Sequence, residues 1–117
     1  MSYIFDIRGE TVWSPALDVG DVYVRCALAL SAAFGVAPGF DFISEDMVEL
    51  DPDAFQSFAV SLGQAAADAR DQVILQDLID AVLVPSLVML ERAGILLETL
   101  QDARISERIE RLRGMPR

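Results

Sequence analysis

Apolar residues alternate at the start of the chain and then recur at helical spacing along most of its length. Tyr3-Ile4-Phe5-Asp6-Ile7 and Thr11-Val12-Trp13 are rich in β-branched and aromatic residues, and the short connection Arg8-Gly9-Glu10 lies between them. This pattern predicts a small hairpin. A lone hairpin is marginal in water, so it must rest on helices or gain a further strand. Met47-Val48-Glu49-Leu50 alternates weakly and is the candidate third strand.

Ser14-Pro15 predicts a helix opening, with serine as N-cap and proline at the first helical position. Val19, Val22, Tyr23, Cys26, Leu30, Ala33 and Phe34 then fall on one stripe, which Val24 and Leu28 widen. The expected first helix is therefore largely buried and stops at Gly35. Residues 36–46 contain Ala37-Pro38-Gly39 and read as a loop. Asp51-Pro52 repeats the cap-plus-proline opening, and Phe55, Phe58, Ala59, Leu62, Ala65, Ala66 and Ala69 give a second core face. A third helix is expected from a cap at Asp71, with Val73, Ile74, Leu78, Ile79, Val82 and Leu83 inward and Asp77 and Asp80 outward. Pro85 predicts a kink in it. Ile105, Ile109 and Leu112 form a narrow stripe among charges near the end. The fold class expected is α+β: mostly helical, with the hairpin and a candidate third strand on about four helices, in one domain spanning residues 1–117.

Composition narrows what such a domain does. The chain holds 117 residues with a formal charge of -10, no histidine, no lysine and one cysteine. The side chains that most often act as bases, nucleophiles or metal ligands near neutral pH are thus scarce. Binding is expected rather than catalysis, with no cofactor. All cations are arginine, and asparagine is absent as well. A GC-rich coding sequence would produce both biases. Residues 1–103 carry 17 acids against 4 arginines, and residues 104–117 carry 5 arginines against 2 glutamates. The body should repel nucleic acid and attract a basic partner. Cys26 has no internal partner for a disulfide and is expected in the core. Neither a signal-peptide pattern nor a spanning apolar run of about 20 residues is read, so a cytoplasmic location is expected.

The densest chemical feature is Asp41, Glu45, Asp46, Glu49, Asp51 and Asp53, six acids in thirteen residues with no cation among them. Calcium-loop spacing and its glycine are missing, so no metal is assigned. Asp51 fits a helix cap, and Asp53 complements the helix dipole. Asp41, Glu45, Asp46, Glu49 and Asp53 remain the candidate docking surface for a basic protein, with Phe40, Phe42 and Ile43 as apolar anchors. Asp77 and Asp80 stand three apart on a helix, where an exposed side is the default for aspartate. Trp13 reads as a core anchor between hairpin and helix. Arg25 and Arg92 are cations inside apolar segments. Each is expected to pair with a local carboxylate, Arg25 with Asp21, and the minority reading is an anionic ligand. Ile105, Ile109 and Leu112 are the candidate dimer stripe.

Val12-Trp13-Ser14-Pro15, Tyr23-Val24-Arg25, Glu49-Leu50-Asp51 with Phe55 and Phe58, and the run from Ser86 to Gly94 carry a resemblance. Over residues 3–94 the chain resembles a domain-of-unknown-function family of small acidic proteins from GC-rich actinobacteria. The resemblance implies a single cytoplasmic bacterial domain and transfers no catalytic residue. The leading expectation is a protein-binding module of the immunity or antitoxin kind. The alternatives are a homo-oligomeric assembly protein and a small-ligand sensor with a pocket beside the third helix.

Overall fold

The computed structural model describes residues 1–97 and 103–117. Its order is β1 (Ile4–Ile7), β2 (Glu10–Trp13), α1 (Leu17–Phe34), β3 (Phe40–Ser44), β4 (Met47–Leu50), α2 (Pro52–Asp68), α3 (Val73–Arg92) and α4 (Ala103–Leu112). The α+β expectation holds, and the sheet is larger than the pattern predicted. Four strands lie in the order β2-β1-β4-β3, with β1 and β4 parallel and the outer pairs antiparallel.

The first hairpin turns on Arg8 and Gly9, both at positive φ (54° and 79°). Such a two-residue turn matches the right-handed twist of its strands. Met47–Leu50 is the expected third strand. The residues read as a loop hold a fourth, β3, which pairs with β4 and carries a bulge between Phe42 and Ser44. Phe5, Ile7, Val48 and Leu50 face the helices and are fully buried. Aromatic rings tie these layers: Trp13 stacks on Phe5, and Tyr23 meets the edges of both.

Several expectations about helix faces are corrected. α1 begins at Leu17, because Pro15 and Ala16 pair with the N-terminal residues (Tyr3 N donates to Pro15 O, and Ser2 bridges Ala16). It buries Gly20, Tyr23, Val24 and Ala27 only, while Val19, Val22, Cys26, Leu28 and Phe34 are exposed. The reason lies at Gly20. A Cβ there would overlap Tyr3 Cβ, so the helix approaches the sheet along its glycine side rather than its bulkiest stripe. α2 matches its expected face and its cap, with Asp51 Oδ2 accepting from Ala54 N at 2.8 Å.

α3 starts after Gln72 without a cap from Asp71, and Val73, Ile74 and Leu78 at its start are exposed. From Ile79 to Leu90 it is the centre of the core. The length and composition of the whole helix would suit a membrane span, and its part from Ile79 onward is packed inside the domain. Asp80, expected on an outer side, is fully buried. α4 lies on α3, and Ile105 and Ile109 are buried in the chain's own core with Leu112 packed against them. The stripe expected to join two copies is therefore satisfied within one.

Candidate functional site: an acidic sheet edge and groove

The acidic run is not one loop. It is the β3–β4 hairpin followed by the first turn of α2, and its carboxylates divide by position. Asp51 caps α2, and Asp53 sits in its first turn, facing a separate hollow with Gln56, Ser57, Val60 and Ser61. Asp41 and Glu49 lie opposite each other on the sheet face away from the helices, and Asp6 lies opposite Glu49 on the next strand. Three carboxylates thus form a row across β3, β4 and β1. Like charges directly opposite on a sheet repel. Two donors relieve the row: Thr11 Oγ1 donates to Asp6 Oδ1 at 2.8 Å, and Gly9 N donates to Glu49 Oε1 at 3.2 Å.

Glu45 and Asp46, at the hairpin turn, join the start of α1. Together with Asp18, Asp21, Ser44 and the apolar side chains of Met1, Tyr3 and Leu17 they line an open groove of about 1020 Å³, of which Tyr3 is the buried part. Burial holds the Tyr3 phenol above its ordinary pKa, and the nearby charges of Asp21 and Asp46 raise it further. Arg25 pairs with Asp21 as expected (2.9 Å), but both are largely exposed and the pair contributes little. Sequence reasoning missed Asp18 and Asp21 as parts of this surface, and Asp6 as the buried member of the carboxylate row. The alternation of Ile4, Phe5, Asp6 and Ile7 was the available signal for Asp6; Asp18 and Asp21 are brought in only by the tertiary fold.

β3 forms one border of the sheet, with β4 as its only strand neighbour among the described residues. Asp51 N donates to Gly39 O, and these residues extend the β3–β4 register by one pair. Hydrogen-bonded and non-bonded pairs alternate in an antiparallel ladder. The Asp41/Glu49 pair is therefore bonded, and Phe40 and Phe42 aim their backbone N–H and C=O groups away from β4. Phe42 and Ile43 are half exposed at this border, while the Phe40 ring packs near Tyr23 and Phe55.

The cations found inside apolar segments serve structure. Among the described residues, the hydrogen bonds of Arg92 go to main-chain carbonyls rather than to a carboxylate. It donates to the carbonyls of Val12 (2.8 Å), Arg113 (3.0 Å) and Met115. Burial lowers its pKa, and the charge of Arg117 adds to that. Carbonyl oxygens surround this guanidinium, and Arg25 is held by Asp21. Asp80 accepts from Arg104, and Arg108 lies 3.5 Å from the same oxygen. This pair pins α4 to α3. The other oxygen of Asp80 has no hydrogen-bond partner among the described residues.

Fold and surface together define a small α+β domain with a mixed sheet, one edge of which is acidic and open. The chain belongs to DUF6086, a family of unknown function, whose profile matches residues 1–117. No curated protein and no solved structure matches it.

Proposed function

We propose that this chain is a small cytoplasmic protein-binding module that occludes a basic partner by stoichiometric association, as immunity proteins and antitoxins do. The observation that carries this reading is the groove at the hairpin turn. Asp18, Asp21, Glu45 and Asp46 line it together with the apolar Met1, Tyr3 and Leu17, and the only cation held there by an ion pair among the described residues is the exposed Arg25. Such a site attracts a positive side chain at long range and offers its aliphatic stem a surface at short range. Asp41 and Glu49 extend the same field along the sheet.

The test is kinetic. A basic protein captured from the source cell is titrated against the wild type and against a variant carrying Asp18→Asn, Asp21→Asn and Glu45→Gln. The on-rate should fall about tenfold at low salt, and its ionic-strength dependence should flatten. An unchanged on-rate and affinity would rule the groove out. Self-association is a second reading, favoured by the exposed apolar residues Val19 and Val22 of α1 and Val73, Ile74 and Leu78 of α3. Light scattering that reports a concentration-independent monomer would count against it.

A further inference from the structure

We infer that the open border of β3 receives an extended, basic segment of the partner protein as an added antiparallel strand. The inference rests on the acidic-surface reading above and specifies how the contact is made. Three observations on the molecule carry it.

The first is the backbone. The register sets the N–H and C=O of Phe40 and Phe42 pointing outward, and among the described residues no backbone bond outside the sheet ladder uses them. Strand addition exploits such a row of donors and acceptors. The second is the division of side chains. Phe40 and Phe42 lie on the helix side of the sheet, opposite Leu50 and Val48, and Asp41 lies on the other side beside Glu49. Residues directly opposite in an antiparallel pair share a face. An incoming strand therefore fits best when apolar residues sit opposite Phe40 and Phe42 and basic residues alternate with them along the acidic row.

The third is charge. Sheet borders are commonly guarded by a bulge or by charged side chains. Here the bulge follows Phe42, and the guarding charge is entirely negative. Two copies of a chain with net charge -10 repel at this border, whereas a basic strand is drawn to it. Self-pairing is disfavoured, and a basic partner is selected.

The probe is a short capped peptide alternating arginine and valine, with two N-methylated twins, titrated into the full chain at low salt. In one twin the valine amides are methylated, in the other the arginine amides. In the inferred geometry the valines lie opposite Phe40 and Phe42, so their N–H groups make the bonds to β3. The valine-methylated twin should bind at least about tenfold more weakly than the parent, and the arginine-methylated twin should stay close to it. On binding of the parent, the Phe40 and Phe42 amides should become protected from hydrogen exchange. Equal binding by all three peptides would overturn strand addition and leave the acidic-surface reading standing. Binding by none of them would remove both. Any other order of affinities would contradict the antiparallel register.

Discussion

The two borders of the sheet have opposite fates. At β2 the chain closes its own edge. Ser14 N donates to Pro116 O, and Arg92 reaches from α3 to hold the Val12 carbonyl together with those of Arg113 and Met115. At β3 no segment among the described residues does the same, and Phe42 and Ile43 stay half exposed beside carboxylates. An unpaired border invites association. One fold thus contains both a protected edge and an available one, and the arginine that reaches a strand carbonyl, Arg92, does so at the first. What covers β2 is the basic end of the chain, so the acidic body is left unneutralised where the sheet is open.

The largest effect is expected at the clamp that brings the C-terminal residues to β2. Arg104→Gln with Arg108→Gln would leave Asp80 buried without these two ion-pair partners, at a cost of about 3–5 kcal/mol. Urea unfolding measures it. Asp80→Asn should cost less, because the two arginine side chains are about a third exposed (30% and 35%) and can turn to water. Equal losses would mean that packing, not the unpaired charge, governs the clamp.

A smaller effect is expected at Tyr23, whose ring touches the aromatics of both borders, Trp13 on β2 and Phe40 on β3. Ser86 Oγ donates to Val82 O, so the Tyr23 hydroxyl donates to Ser86 at 2.6 Å. Tyr23→Phe should cost about 1 kcal/mol. Burial raises the pKa of Tyr23 in the folded state. The unfolded chain loses this proton from about pH 10 upward while the folded one keeps it, so stability is full below that pH and declines above it. The melting temperature of the wild type should drop more steeply with alkali than that of Tyr23→Phe. Parallel curves would exclude Tyr23 as the source. Part of the alkaline slope should survive in the variant, because Tyr3 is shifted in the same direction.

How much of this was legible in the sequence depended on whether a signal was local. The first hairpin, β4 and the second helix followed from alternation, a turn and a cap. β3 was hidden because Phe40-Asp41-Phe42-Ile43-Ser44 follows Ala37-Pro38-Gly39 and sits at a border, where burial is weak and the alternation is broken by a bulge. The face of α1 was misjudged because Gly20, which carries no hydrophobic weight, decides which side meets the sheet. Asp80 was misplaced for a related reason: its partners lie 24 and 28 positions away on α4, beyond the reach of any helical-spacing rule. The candidate surface was half legible. Glu45, Asp46, Asp41 and Glu49 follow from the sequence, and strand alternation points to Asp6, while Asp18 and Asp21 join them only through tertiary contact.

Amide hydrogen exchange at the two borders of the free monomer tests the central claim most directly. Ser14 should exchange slowly, Phe42 should exchange as an open amide while its neighbour Asp41 is protected, and Arg92→Met should release Ser14 and leave β3 unchanged. A Phe42 amide as protected as that of Asp41, with no partner added, would show the β3 border to be already covered and would contradict the account.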